Sequence, residues 1–333
     1  GLPITMTDRE GAVTHYGYDR NGNLLSVEYP DGSSVSYEYD SAGRMVKTIA
    51  QNGLVTEIAY DGNGNIVRIS DDDARVYQYS YDHNNRLVRV TDPLGNVTRY
   101  AYDGAGNQVR MTDANGHATS YGFDPVGRLT EVKNALEGVS SIQYNLNGNI
   151  LRTTDENGHS TSYYYDVLGE LLAQTDAEGN VTAMEYDALG NITKVTDALK
   201  GESLYETDVL SRTVKATDPM GGEYTYEYDA NGNLTKQTMP DGDIIRMTYD
   251  KNDRMVSSSD EAGVITWYTY DSMGRVTSVT DSTGNKKFCE YDESGNLVKE
   301  TDTIGREATY GYDQFGRLVL ATGTDGATTA YGY

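Results

Sequence analysis

The sequence predicts an all-β protein in which 21-residue repeats run as consecutive antiparallel β-hairpins and form one continuous, curled sheet. Three observations carry this prediction: a tyrosine every 21 residues, two Asp-x-x-Gly boxes in each period, and short β-forming stretches between the boxes. The chain has 333 residues with 36 Gly, and its 29 Tyr against 3 Phe reflect the repeat. We expect residues 1–333 to be a single array of about sixteen repeats with no separate domain.

The tyrosine position defines the repeat and runs from Tyr18 in steps of 21 residues to Tyr333, with no net insertion or deletion. Asp follows it in 14 of 15 cases, and Gly stands four residues after it in 12 of 15. We interpret these positions as the structural repeat motif. Its clearest copies are Tyr18, Asp19 and Gly22; Tyr39, Asp40, Gly43 and Arg44; Tyr60, Asp61 and Gly64; Tyr102, Asp103 and Gly106; Tyr165, Asp166 and Gly169; Tyr186, Asp187 and Gly190; Tyr228, Asp229 and Gly232; Tyr270, Asp271 and Gly274; Tyr291, Asp292 and Gly295; and Tyr312, Asp313 and Gly316.

A second box lies halfway through each period. Eleven residues after the tyrosine position stands Asp in 11 of 16 periods, and Gly follows three residues later in 13 of 16. Asp at the first position and Gly at the fourth are typical of a type I turn, in which the Asp side chain bonds the backbone two residues on. Each period therefore predicts two turns. We call the turn after the tyrosine the first turn and the other the second turn.

Stretches of β-formers connect the turns, for example residues 35–39 and 87–90. Their length and alternating character predict strands, two in each period. Because side chains in a strand alternate with a period of two, an odd repeat requires either two different turns or a bulge in every repeat. A three-residue loop with a G1 bulge would supply the odd residue, and repeated bulges would curl the sheet.

Five residues after the tyrosine, Asn and Arg alternate along much of the chain, as in Asn23, Arg44, Asn65 and Arg86. The pattern has two interpretations: descent from a duplicated 42-residue pair, or a difference in geometry between neighbouring repeats. At about 4.8 Å per strand, sixteen repeats give a ribbon roughly 150 Å long, which would close at a diameter of about 50 Å. The chain is then about one turn of a wall, with end strands free to pair with more chain or another copy.

Charge and composition exclude several function classes. The 51 acidic residues against 27 Lys plus Arg give a net charge of −24, which argues against nucleic acid or an anionic membrane as partner. The single cysteine excludes a disulfide framework and a multi-cysteine zinc site. No apolar run is long enough to predict a membrane span, and no export signal is visible in these residues.

Candidate sites have simpler structural readings. Neighbouring turns lie roughly 10 Å apart and cannot share a calcium ion, so the Asp rows are interpreted as turn caps. The tyrosines could stack on glycans, but cross-strand packing explains their presence in every period better. Cys289 is interpreted as a small buried hydrophobe, and His117 and His159 as turn residues. We expect no cofactor, no metal and no enzyme activity.

Lys or Arg is frequent eight residues after the tyrosine, as at Lys47, Arg68 and Arg89, and Glu sometimes precedes the tyrosine, as at Glu38 and Glu185. The modest interpretation is cross-strand ion pairing. The alternative is a charge-patterned binding face.

The box Tyr-Asp-x-x-Gly-Arg-Leu, seen from Phe123 to Leu129 and from Tyr312 to Leu318, resembles the YD repeat of Rhs proteins. That family includes Rhs polymorphic toxins, the shell-forming subunits of insecticidal toxin complexes, bacterial wall-associated proteins and teneurins. The resemblance covers essentially the whole chain and implies a spiralling β-sheet shell. For bacterial members it further implies a secreted or cell-surface protein whose shell encloses a C-terminal toxin.

The bacterial shells usually carry an Asp-Pro-x-Gly-Leu motif in a plug segment. Residues 92–95 and 218–221 resemble it, but Asn96 and Gly222 replace the leucine, and both stretches lie at the second-turn position. We interpret them as ordinary turns. The leading hypothesis is a shell segment whose partners are flanking parts of a parent protein and an enclosed toxin domain. The alternative is an open superhelical or filamentous surface protein for adhesion, glycan binding or self-assembly.

Overall fold

A computed structural model describes residues 2–72, 74–313 and 315–332. Tyr333, the last tyrosine position of the repeat, lies outside the described residues. The described chain forms 32 strands and no helix, which confirms the all-β prediction. No part of it forms a helix that could cross a membrane.

The strands follow one another with short turns between them. They are β1 Thr5–Thr7, β2 Val13–Tyr18, β3 Leu24–Glu28, β4 Ser34–Tyr39, β5 Met45–Ile49, β6 Val55–Tyr60, β7 Ile66–Asp71, β8 Val76–Tyr81, β9 Leu87–Thr91, β10 Val97–Tyr102, β11 Gln108–Thr112, β12 Ala118–Phe123, β13 Leu129–Lys133, β14 Val139–Tyr144, β15 Ile150–Thr154, β16 Ser160–Tyr165, β17 Leu171–Thr175, β18 Val181–Tyr186, β19 Ile192–Thr196, β20 Glu202–Thr207, β21 Thr213–Thr217, β22 Glu223–Tyr228, β23 Leu234–Thr238, β24 Ile244–Tyr249, β25 Met255–Ser259, β26 Ile265–Tyr270, β27 Val276–Asp281, β28 Lys286–Tyr291, β29 Leu297–Asp302, β30 Glu307–Tyr312, β31 Leu318–Thr322 and β32 Thr328–Ala330.

Each strand pairs antiparallel with the strands before and after it in the chain, so the sheet is one long meander. Its first turns all lie along one edge and its second turns along the other. We call these the first-turn edge and the second-turn edge.

Both turns have the same hydrogen-bond pattern, which corrects one expectation. In the first turn at Asp103 and the second turn at Asp113, the fourth residue donates its N–H to the aspartate carbonyl. The aspartate N–H in turn donates to the carbonyl oxygen of the fifth residue. Two identical loops add equal numbers of residues, and their sum is even. The loops therefore cannot account for an odd period.

The odd residue lies in a strand bulge instead. Beside every first turn the register shifts by one residue, as where Ala101 pairs with Arg110 while Tyr102 pairs with Gln108. Val109 is the extra residue. Across the second turn the register is regular, as in the Arg110–Ser120 pair. The alternative expectation, a bulge in every repeat, is therefore correct, and it bends the sheet in the same sense each time.

The ribbon has two different faces and almost no enclosed core. On the tyrosine face, Tyr100 pairs with Met111, and Tyr102 with Gln108, all half-buried. On the opposite face, called the polar face, lie exposed side chains such as Arg99 and Arg110. The accessible surface is 20196 Å², against roughly 13,500 Å² for a compact monomer of this mass. The excess is what a single-layer sheet requires.

Candidate functional surfaces

The motif aspartates cap their own turns. The Asp40 carboxylate accepts the backbone N–H groups of Ala42 and Arg44 through Oδ1, both at 2.9 Å. Its Oδ2 accepts the Arg44 side chain at 2.8 Å. At the second turn, the Asp92 and Asp218 carboxylates likewise accept the backbone N–H groups of the third and fifth residues of their own turns. The Asp-Pro stretches therefore form the same capped turn as the other repeats.

The capping bonds lower the pKa of these carboxyl groups. Hydrogen bonds from the side chain and then the backbone of Arg86 lower the pKa of Asp82 to about 2. Hydrogen bonds from the side chains of Thr283 and Asn285 likewise lower the pKa of Asp281 to about 2. Among the residues that the structure describes, no three His, Cys, Asp or Glu side chains are placed to hold a metal ion.

The motif glycines occupy the left-handed position of the turn. Gly22 has φ of 90°, Gly106 of 96° and Gly316 of 73°. Where a repeat lacks glycine, the residue in its place still adopts this conformation, as do Asn85, Ser211 and Asp253 with φ of 60 to 62°. The backbone geometry is therefore uniform, and the non-glycine turns carry strain.

The motif tyrosines connect neighbouring repeats. The Tyr144 hydroxyl donates to the Leu129 carbonyl of the preceding repeat at 2.8 Å. Among the described residues, ten tyrosines make this bond, at distances of 2.6 to 2.9 Å. They are Tyr39, Tyr60, Tyr81, Tyr102, Tyr144, Tyr186, Tyr228, Tyr249, Tyr270 and Tyr291.

The arginines of the Asn/Arg alternation bridge successive first turns. Arg128 pairs with Asp124 of its own turn at 2.7 Å and donates to the Asn145 carbonyl of the next turn at 3.0 Å. Its guanidinium lies 4.7 Å from the centroid of the Tyr144 ring. Within the described part of the chain, the side chain of Asn107, in the same position, donates only to its own Asp103. Neighbouring repeats thus differ in their side-chain contacts, while their backbone turns are alike.

The motif residues lie side by side along the first-turn edge, repeat after repeat. Each tyrosine ends a strand, each aspartate opens the turn, and each glycine stands at its fourth position. They do not converge on one pocket, so the arrangement is that of a repeated structural unit.

The two edges of the ribbon meet along a line that we call the seam. There the second turns of one winding lie against the first turns of the next: the turn at Asp8 against that at Asp250, Tyr29 against Asp271, Ala50 against Asp292 and Asp71 against Asp313. Arg9 pairs with Asp253 at 2.9 Å and donates to the Lys251 carbonyl at 3.0 Å. Asn252 donates to Asp8 at 2.8 Å, and Arg254 pairs with Glu10.

The seam continues along the next turns. Arg275 lies 3.6 Å from Asp31 across a cleft of about 450 Å³, and the Arg75 guanidinium lies 3.9 Å from the centroid of the Phe315 ring. The contacting residues at its start are 242 to 244 apart in sequence. One winding of the ribbon therefore takes about 11.5 repeats, and the described chain makes more than the single turn expected.

Sequence reasoning missed the seam, and the turn residues there differ in burial from those of the middle repeats. In most of the middle repeats the third residue of the first turn is an exposed apolar residue, such as Val126, Leu168 and Leu189, which are 74 to 81% exposed. At the seam the same position holds half-buried residues, including Asn252 and Met273.

The polar face carries the expected cross-strand ion pairs. Lys194 lies 2.6 Å from Glu202, and Lys299 lies 2.5 Å from Glu307. The hydrogen bonds that these lysines donate to the glutamates raise the pKa of both lysines.

Other residues singled out in the sequence have unremarkable surroundings. Cys289 is half-buried, and burial raises the pKa of its thiol. His117 and His159 lie in second turns, each 3.1 Å from the aspartate of its own turn.

The family comparison agrees with the geometry. The RHS Repeat model matches residues 1–34, 18–55, 60–96, 81–118, 102–138, 144–173 and 165–202, which together exceed half of the chain. The chain belongs to the RHS repeat family. The Teneurin YD-shell model matches residues 205–333. A search of curated proteins gave no match.

Solved structures show the same fold. The crystal structure of TcdB2-TccC3 has a TM-score of 0.80 at 18% identity over 95% of this RHS chain. That of TcdB2-TccC3-Cdc42 has a TM-score of 0.73 at 18% identity over 94%. This chain spans about a fifth of the length of those chains, 20% and 21% respectively. The protein is therefore similar in fold to part of a YD shell.

Proposed function

We propose that this chain is a wall segment of an Rhs-type shell that encloses a C-terminal toxin polypeptide of its parent protein. The observation that carries the proposal is the seam. Because the second-turn edge meets the first-turn edge one winding later, the ribbon forms a wall continuous from one winding to the next. A wall of that kind can separate an enclosed chain from solvent.

The size of the winding is compatible with this role. At roughly 10 Å per repeat, 11.5 repeats give a circumference of about 115 Å and a distance of roughly 35 to 40 Å between opposite walls. That space accommodates an extended or loosely folded polypeptide. The partners would be the flanking segments of the parent protein and the enclosed chain.

The proposed role is non-catalytic. The titratable motif residues cap turns, and the motif tyrosines join repeats, so both sets of side chains serve the wall itself. In this proposal, residues 1–333 form one repeat array. The parent would be a bacterial protein that is secreted or held at the cell surface, as the resemblance implies.

A filamentous or self-assembling surface protein is the second candidate, and one observation favours it. The edges beyond the seam carry exposed apolar turn residues, with Leu136 91%, Leu199 92% and Met220 96% exposed. Apolar edges of this kind favour contact with another copy.

Negative-stain electron microscopy of the purified chain distinguishes the two functions. The shell proposal predicts discrete hollow particles of one winding diameter at all protein concentrations. Extended filaments that lengthen with concentration would contradict it and support the surface-protein candidate.

A further inference from the structure

Four arginines form an exposed row across the polar face. Arg68 lies on β7, Arg89 on β9, Arg99 on β10 and Arg110 on β11. Arg89 and Arg99 are direct cross-strand partners, and Arg110 pairs with Ala101, two residues along from Arg99. We call these four residues the arginine row. It extends over about 20 Å, four strand spacings of the sheet.

The row lacks the carboxylates that neutralise cations elsewhere on this face. Eight residues after the tyrosine position, which Thr207 fills in one of these repeats, Lys215 pairs with Glu223 and Lys236 with Glu227, each at 2.7 Å. At the same position, Arg68 lies between Ala59 and Gln78. On the side away from Arg99, Arg89 pairs with Ser80, and on the side away from Ala101, Arg110 pairs with Ser120. Within the described residues, none of the four arginines has an ion-pair partner.

The arrangement is unfavourable for the isolated sheet. Like charges directly opposite each other on antiparallel strands destabilise the pair, and the Arg89–Arg99 side chains are about 4.5 to 5.5 Å apart at Cβ. Between Glu57 on β6 and Glu131 on β13, this face carries no carboxylate among the described strand residues. A protein of net charge −24 thus presents a local cluster of uncompensated positive charge.

We propose that the arginine row binds a short, carboxylate-rich segment of an extended polypeptide. Guanidinium groups bind carboxylates through two parallel hydrogen bonds, which favours Arg over Lys at such a surface. An extended segment of about six residues spans the 20 Å row at roughly 3.3 Å per residue. Bound carboxylates would also relieve the repulsion between Arg89 and Arg99.

The length of the row favours a short acidic peptide over a long polyanion. Nucleic acid or a sulfated polysaccharide would extend past the row onto regions dominated by the chain's acidic residues. Those regions repel it beyond the local patch. A short segment stays within about one Debye length of the four arginines.

Fluorescence anisotropy with a labelled hexa-glutamate peptide tests the proposal at low and at physiological ionic strength. The double variant Arg89→Gln/Arg99→Gln is expected to weaken binding by about tenfold or more for each arginine removed. The matched control Lys215→Gln/Lys236→Gln removes two cations from the repeat position of Arg89, where each already has a glutamate partner. The control should bind like the unmodified chain.

A charge reversal separates binding from folding. Arg89→Glu would pair with Arg99, so it should raise or preserve the melting temperature while it weakens peptide binding. The proposal is overturned if the unmodified chain does not bind the peptide at low salt, or if both double variants lose affinity equally. Tighter binding of heparin or an oligonucleotide through the same arginines would show that the partner class is wrong.

Discussion

At the scale of single residues, the tyrosine position joins each repeat to the one before it. Tyr144 contributes a hydroxyl bond to Leu129 and an aromatic face to Arg128, so it contacts the preceding repeat in two ways. The tyrosine excess of the sequence therefore has a specific cause: phenylalanine supplies the face but not the hydroxyl.

Replacement of Tyr144 by phenylalanine should lower the free energy of unfolding by about 0.5 to 1.5 kcal/mol, because the Leu129 carbonyl loses a partner. Tyr165→Phe is the matched control, since the Tyr165 hydroxyl has no hydrogen-bond partner among the described residues. Chemical denaturation followed by circular dichroism measures both. Equal losses for the two variants would show that the hydroxyl bond is unimportant.

The capping carboxylates make the turns sensitive to acid. The folded-state pKa of Asp82 is about 2, below its ordinary value of 3.8. A lowered pKa means that the carboxylate stabilises the fold above about pH 4, and this contribution is lost as the pH falls through 2.

Thermal melts between pH 5 and 2 should therefore show a falling melting temperature, with most of the loss below pH 4. Asp82→Asn, which keeps a side-chain carbonyl for the backbone bonds but cannot ionise, should show a smaller drop over the same range. A melting temperature independent of pH would refute the capping interpretation.

At the scale of turns and strands, the left-handed residue is the element that every repeat retains. The first turn at Asp103 offers a comparison within four residues. Gly106 has φ of 96° and open space around it, whereas Gly104 has open space but no positive φ.

Gly106→Ala should destabilise the protein by about 1 to 2 kcal/mol, because alanine resists the left-handed conformation. Gly104→Ala should be nearly neutral, as no atom blocks its Cβ. In the reverse sense, Ser211→Gly should stabilise the chain by relieving strain at φ of 62°. Denaturation midpoints report all three, and an equal effect of the two alanines would contradict the turn assignment.

The local elements could be predicted from the sequence because the period, the turn residues and the strand alternation are all short-range signals. The position of the bulge could not, since Val109 and its equivalents are ordinary β-formers with nothing to mark them. The arginine row was visible only in part: Arg68, Arg89 and Arg110 share a repeat position, but Arg99 joins them only through strand register.

At the scale of the whole molecule, the seam depends on the sum of many small bends. Each bulge contributes a little curvature, and only the accumulated rotation over about 11.5 repeats brings Arg9 to Asp253. No single residue determines that separation of about 11.5 repeats. Strand spacing alone therefore predicts about one turn for the chain, and the structure makes more.

Charge reversal at the seam should open the winding without unfolding the strands. Arg9→Glu would face Asp253 and lose its bond to Lys251, so small-angle scattering should report a larger radius of gyration with unchanged circular dichroism. Arg20→Glu, the same change at an exposed arginine outside the seam, is the control and should leave the radius unchanged. An unchanged radius for Arg9→Glu would mean that these contacts do not hold the windings together.

The winding itself is tested most directly by cross-linking positions that are 243 residues apart. In a Cys289→Ser background, cysteines at Arg9 and Asn252 should be joined rapidly by a short bifunctional thiol reagent, since the Arg9 N–H lies 3.1 Å from the Asn252 side chain. Cysteines at Arg9 and Leu189, the equivalent position three repeats earlier and roughly 30 Å away at about 10 Å per repeat, should react far more slowly. Failure of the first pair to cross-link in a folded protein, or equal rates for both pairs, would contradict the wound wall.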